Sequence, residues 1–329
     1  MTEQAMTPAA KAFDWQSVAL VPIAIFVALG AVPLVAFLTG GNYLLSLFTQ
    51  VMIFAIAALA LDLIVGYGGL VSFGHAAFVG LGAYAVGILA SHGIVDAFVA
   101  LPAAILLAAA FAYVTGFVCL RTRGVHFIMI TLAFGQMAFF TASSLAPYGG
   151  DDGLTIHGRS LVVGYALLRD ERVFYYVVFA SLLGAYLLCR AIVASRFGRV
   201  FRGARGNPTR TMTMGYDVHR FQQVAYTISG AIGGLAGFLL ANATQFVSPA
   251  YMSWQRSGEL IIMVLFGGLG TLSGAIVGAG AYVLLEQWLA GLTEHWKVIF
   301  GPLLVLVVLF ARGGLLGLVA AMLRGGRRG

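Results

Sequence analysis

The strongest restriction on this chain is a succession of apolar runs, most of them long enough to cross a lipid bilayer. The clearest are Ser17–Leu38, Tyr43–Val65, Leu70–Leu89, Val95–Cys119, Val125–Ser144, Val173–Val193 and Val224–Ala243. Shorter runs follow at Leu260–Leu272, Ala275–Ala290 and Val298–Ala311, and their length allows half-helices as well as full spans. Backbone amides in hydrocarbon need internal partners, which a helix supplies. The pattern implies an all-α polytopic membrane helix bundle of roughly ten transmembrane segments, with about eight as the alternative count.

Composition agrees. Of 329 residues, 60% are hydrophobic and 9% charged, against about 25% charged in soluble domains. A soluble fold would lack the polar surface that water requires. The net charge of +7 is carried by arginine, the only lysines being Lys11 and Lys297. The arginines stand in short stretches between apolar runs, the placement of cytoplasmic loops rather than of a nucleic-acid-binding surface. Cys119 and Cys189 both lie inside apolar runs and read as packing residues, not as a disulfide or metal pair. No small-residue cleavage site closes a short apolar region near the N-terminus, so a retained first helix is expected.

Arginine placement predicts orientation. Arg121 and Arg123 form one short basic loop. Arg190, Arg196, Arg199, Arg202, Arg205, Arg210 and Arg220 form a stronger one, opposed by Asp217. Arg312, Arg324, Arg327 and Arg328 make the C-terminal end basic. With these in the cytoplasm, the loops around Asp151–Arg172, Ser248–Arg256 and Glu294 fall outside, and both termini are cytoplasmic. The expected division is a cytoplasmic tail at 1–16, a transmembrane domain at 17–312 and a cytoplasmic tail at 313–329. The domain carries a cytoplasmic loop at 194–220 and an outer loop at 146–172.

Within the cytoplasmic loop, Asn207, Pro208 and Gly215 make a complete helix start and stop signal. Asn caps the free amides, Pro suits the first helical position, and Gly accepts the left-handed turn after the end. A short helix over Pro208–Met214 follows, presenting Met212 and Met214 among arginines, a surface suited to a partner's groove. A plainer reading is a basic loop that sets topology or meets lipid head groups.

Glycines crowd two segments, Gly66–Gly87 and Gly267–Gly280, where small residues allow close helix approach. Gly68-Gly69-Leu70 and Gly80-Leu81-Gly82-Ala83-Tyr84 recur as Gly267-Gly268-Leu269 and Gly278-Ala279-Gly280-Ala281-Tyr282, which suggests an internal repeat. Ser72-Phe73-Gly74-His75 interrupts the first stretch, with Ser72 placed to cap a helix and His75 in its first turn. Ser72, Gly74, His75 and the later Glu286 are candidates for a translocation path, because ionisable groups within a membrane are functional candidates by default. The structural alternatives are a His75 that satisfies a neighbouring carbonyl or the lipid interface, and an Asp62 that caps or pairs. Neither lysine follows a phosphate-binding G-x-x-x-x-G-K-[ST] loop, and no metal or nucleophile motif is present, so no catalytic residue is expected.

Several segments in order resemble the LivM-type branched-chain amino acid permeases, the membrane subunits of high-affinity ABC importers. They are Leu61-Asp62-Leu63, Gly66-Tyr67-Gly68-Gly69, Ser72-Phe73-Gly74-His75-Ala76-Ala77-Phe78 and Gly80-Leu81-Gly82-Ala83-Tyr84. The likeness continues in Arg121–Gly124, Thr131–Gly135, Gly149–Leu154, Ser229–Gly237 and Arg312–Gly317. It implies a second homologous permease subunit in a heterodimer, two cytoplasmic ATPase subunits using ATP and Mg, and a periplasmic substrate-binding protein in a bacterial inner membrane. This chain itself would bind no cofactor and no metal. By the same resemblance Gly198, Arg199, Arg202, Ala204, Arg205, Asn207 and Gly215 fit the segment that couples to the ATPases, which supports a docking role for the Pro208–Met214 helix with Met212 and Met214. Gly150, Asp151 and Asp152 fall in the loop that would receive the binding protein. Gly206 and Pro208 stand where the family usually carries acidic residues, and Gly203 weakens the helix upstream of Asn207. Related permeases carry urea or other amides. The rival class is an ion-coupled secondary transporter, for which Asp62, His75 and Glu286 are few and scattered.

Overall fold

The computed structural model describes residues 20–39, 42–162, 164–292, 295, 298–302 and 313–317. The expected tail at 1–16, most of the run Val298–Ala311, Glu294, and Arg312, Arg324, Arg327 and Arg328 lie outside the described residues.

Along the chain run α1 (Leu20–Thr39), α2 (Asn42–Val65), α3 (Ala76–Ser91), α4 (Ala97–Cys119), α5 (Val125–Ser144), α6 (Glu171–Ala194), α7 (Arg196–Gly206), α8 (Pro208–Thr213), α9 (Val218–Thr244), α10 (Trp254–Gly267) and α11 (Leu272–Leu292). Six of them, α2, α4, α5, α6, α9 and α11, are long and apolar enough to cross a membrane, and α1 and α3 are shorter apolar helices. This is an all-α membrane bundle. One two-stranded antiparallel ribbon, β1 (Leu154–Thr155) with β2 (Phe246–Val247), ties two loops together at one end.

Most helix starts are capped as their sequences dictate. Asp96 accepts from the amide of Phe98 at 2.9 Å, Asp170 from Arg172 at 2.8 Å, and Asp217 from Arg220 at 3.2 Å. The positions α2 and α9 hold are set by small residues. Both helices are mostly buried, whereas α4, α5 and α6 leave most of their surface for lipid. Ala100, Ala104, Ala108 and Ala112 form a buried stripe along α4, and Gly230 and Gly234 of α9 lie against it. A Cβ at Gly234 would stand 2.6 Å from the carbonyl oxygen of Ala104. The next stripe on α9, Gly233 and Gly237, meets Phe78 and Val79 of α3 in the same way. Without a hydrophobic drive in lipid, such close backbone contact supplies the association energy.

Two crossings are broken. The run Leu70–Leu89 is expected as one span, but its helix starts only at Ala76; residues 70–75 are not helical. Ser72 does not cap that helix. Its Oγ accepts from the amide of Gly74 at 3.4 Å, while the amide of Ala76 donates to Ser257 Oγ on α10 at 3.1 Å. The second break precedes α10. Residues 245–253 run inward through a 3-10 turn, Pro249–Met252, and Met252 packs beside Gly80 partway along α3. Trp254–Arg256 therefore belong to a helix that starts inside the bundle, not to an outer loop as the arginine pattern suggests. From Ala76 to the far end of α3 is about 24 Å of helix and from Ser257 to the end of α10 about 15 Å, so the junction of Ala76 with Ser257 lies within the bundle, away from the far ends of both helices.

Candidate functional site

Segment 194–220 is a pair of helices at the arginine-rich end of the bundle. Ser195 caps α7, and Phe201 and Ala204 bury its inner face. Phe197 stacks on Phe201 and on Phe221 of α9. Asn207 Oδ1 then accepts from the amide of Arg210 at 2.9 Å and starts α8, with Pro208 at its first position. The helix ends at Thr213, one residue before the expected Met214, which is its C-cap, and Gly215 follows with φ 87°. The glycines at 203 and 206 do not prevent α7 from forming, because its aromatic face is anchored on the bundle.

The arginines divide into two groups. Arg199 donates to the carbonyl of Ala194 at 3.2 Å, and Arg202 to those of Val193 and Gly198. Both thus satisfy carbonyls at the end of α6, where a cation also suits the helix dipole. Arg205 reaches the other way and donates to the carbonyl of Gly66. The exposed surface of α8 and its exit includes Arg210, Met212, Met214 and Tyr216, the two methionines being 48% and 65% exposed.

Arg205 lands on a joint made of backbone. Its stem lies over Gly69, where φ is 70°, and the Phe201 ring covers Gly68. Gly66 abuts Gly270, in the turn between α10 and α11, and the two meet without side chains. Asp62 completes the joint: its Oδ1 accepts from the amide of Gly270 at 2.8 Å. The two glycine-rich copies noted in the sequence thus touch, with Asp62 as the pin. α7 is connected through Arg205 and this joint to both broken crossings.

Ser72, Gly74 and His75 lie together, buried, at the inner junction. Gly74 is pressed against α5, and the amide of Phe73 donates to Thr131 Oγ1 at 3.2 Å. His75 stands edge-on to Phe78, 5.1 Å between ring centres, and neither ring nitrogen has a hydrogen-bond partner among the described residues. Glu286 belongs to a different neighbourhood. It is half-buried on α11, one turn beyond Tyr282.

Glu259 was not among the expected candidates, nor was Arg256 as a membrane residue. Arg256 Nη1 and Glu259 Oε2 form an ion pair at 2.6 Å in the first turns of α10. The pair faces a cavity of about 190 Å³ between α2, α3, α9 and α10. Gln50, Thr244 and Tyr251 supply its other polar groups. The signal available in the sequence was the i, i+3 charge spacing directly before an apolar run.

At the opposite end, the 146–172 loop is built as a platform. Gly150 has φ 49°, and Asp151 and Asp152 are exposed at the bend that precedes β1. Arg159 donates to the carbonyls of Asn242 at 3.2 Å and Leu168 at 3.0 Å and lies over the Phe174 ring. Burial lowers its pKa from the ordinary arginine value, with Glu171 and Asp170 opposing the shift. Asn242 Oδ1 accepts from the buried amide of Ser160 at 2.7 Å. Asn242→Ala strips that amide of its acceptor, a loss of about 1–3 kcal/mol. Limited proteolysis of the variant is expected to cut within 146–170 while the helices stay intact.

A multi-pass membrane bundle with broken crossings, a polar interior cavity and a helical pair on its basic end defines a membrane transport subunit. Residues 43–309 match the family described as branched-chain amino acid transport system / permease component, and the chain belongs to that family. It is 27% identical over 299 residues to the high-affinity branched-chain amino acid transport system permease protein LivM of Escherichia coli K12, covering 84% of this chain and 70% of that one. It is 32% identical over 147 residues to a probable branched-chain amino acid transport permease protein LivH of Methanocaldococcus jannaschii, covering 41% and 43%. It is 24% identical over 277 residues to the ribose import permease protein RbsC of Escherichia coli K12, covering 81% and 84%. No solved structure matches significantly.

Proposed function

We propose that this chain is one of two permease subunits of an ATP-binding-cassette importer for branched-chain or related small amino acids in a bacterial plasma membrane. ATP and Mg are used by two cytoplasmic ATPase subunits, and a periplasmic protein delivers substrate. Segment 194–220 faces the cytoplasm, as do the tails at 1–16 and 313–329, and the 146–172 platform with Gly150, Asp151 and Asp152 receives the binding protein. The chain is a conduit and not an enzyme. An amide-carrying permease would use the same machinery.

The observation that carries this reading is the unbroken line from α8 through α7, Arg205 and Asp62 to the two glycine turns. In alternating access, closure of an ATPase dimer must move the membrane spans, and a stiff connection from a docking surface to the spans does that. Met212 and Met214 supply the adaptable apolar contact for an ATPase groove. The relative named LivM favours amino acids as cargo.

The test is co-purification from native membranes in mild detergent. The unaltered chain is expected to retain ATPase subunits and a second permease. Met212→Glu with Met214→Glu introduces charge on the docking face, and at least a tenfold loss of bound ATPase is expected, about 1.4 kcal/mol or more. A chain recovered without any ATPase would overturn the reading.

A further inference from the structure

We propose that the cavity between α2, α3, α9 and α10 is a resting site for a zwitterionic, apolar amino acid in transit, with Arg256 taking its carboxylate and Glu259 its ammonium. The assignment rests on the transport reading above and gives it a location.

The position is unusual for such charges. α10 starts beside Ala76 of α3, inside a membrane bundle, where charged groups are rare and mark ligand paths or functional pairs. Arg256 occupies the first turn of α10, the end of a helix where the dipole disfavours a cation. Glu259, three residues on, offsets it at 2.6 Å, and the side chains remain 39% and 18% exposed. A pair that served packing alone would be replaceable by apolar residues at little cost. Here it keeps access to the cavity, and Arg256 is held from behind by the Phe54 ring.

The chemistry of the walls selects the ligand. Arginine offers a fork suited to a carboxylate, and Glu259 beside it accepts from an ammonium. A lone anion would leave Glu259 facing it, and a lone cation would leave Arg256 facing it. A neutral polyol would separate the pair without replacing either charge. Only a ligand with both charges restores what it breaks. Ile53, Ala57, Val79, Leu260 and Met263 line the rest, so a side chain without polar atoms fits there. About 190 Å³ accommodates a short branched one. Since the pair closes on itself when no ligand is present, the ligand's gain over the empty site is small. Weak holding suits passage.

Val79→Cys, in the complete importer in lipid nanodiscs, places a thiol on the cavity wall; the native Cys119 and Cys189 are buried. L-leucine at twice its dissociation constant is expected to slow maleimide labelling about threefold. Isoamylamine and 4-methylpentanoate, which each lack one charge, are expected to give no protection, as is ribose. Arg256→Gln and Glu259→Gln are each expected to abolish the protection by L-leucine. ATP-driven uptake of labelled L-leucine by the unaltered importer is measured alongside. Uptake without protection, or equal protection by the singly charged analogues, would overturn this site and leave the transport reading standing. Absence of uptake for L-leucine, L-valine and L-alanine would overturn the transport reading itself.

Discussion

Asp62→Ala is expected to abolish energised uptake while the bundle stays assembled, and Asp62→Asn to retain a substantial part. The carboxylate accepts from the amide of Gly270 at 2.8 Å and lies close enough to Arg205 for the charges to attract. Alanine removes the acceptor and leaves a partly buried amide without a partner in a joint made of close backbone contacts. Leaving a buried amide unsatisfied costs about 1–3 kcal/mol, which corresponds to roughly a fivefold to hundredfold change in the population of the closed joint. Asparagine keeps an acceptor in the same place and loses only the attraction to Arg205. The measurements are ATP-driven uptake and ATPase co-purification on each variant. Equal uptake by Asp62→Ala and the unaltered chain would remove Asp62 from the line of force.

Gly237→Leu is expected to prevent stable assembly altogether. α9 and α3 meet there backbone to backbone. A Cβ at Gly237 would enter the space of the Val79 carbonyl and stand 2.8 Å from the Ala83 amide nitrogen. No flexible side-chain end is present to yield, so the helices must separate along their length. Overpacking a core costs about 1–3 kcal/mol even where side chains can adjust, and the displacement here adds the lost contact of the whole stripe. Gly184→Ala on α6 is the matched control, because nothing lies within 4 Å of its added Cβ. Thermal aggregation in detergent, followed by size exclusion, is expected to show early collapse for Gly237→Leu and no loss for Gly184→Ala.

Much of this architecture was readable before any coordinates, and the exceptions have physical causes. α4, α5 and α6 fall within a few residues of their apolar runs, since each is a helix exposed to lipid along most of its length. α8 could be placed because Asn207, Pro208 and Gly215 are local signals that need no tertiary partner. The break at 70–75 could not be. Leu70, Val71 and Phe73 keep hydropathy continuous there, and the break is made by Gly74 closing on α5 and by hydroxyls from distant helices. The depth of Arg256 was hidden for the opposite reason: an irregular polar lead into a half-helix looks like a loop in hydropathy. Arg199 and Arg202 look like a partner-facing cluster in sequence; they stay exposed and also donate to carbonyls at the end of α6. Charge density reveals which end of the bundle is basic, and only geometry shows which of those arginines also hold backbone carbonyls.

The hydroxyls that close the first broken crossing also set an order of assembly. Extended backbone in hydrocarbon is costly until its amides have acceptors, and residues 70–76 borrow theirs from Thr131 on α5 and Ser257 on α10, besides their own Ser72. Both lenders are synthesised later than the borrower. Until α5 and α10 have been made, the amides of Phe73 and Ala76 therefore lack the acceptors they have in the folded bundle.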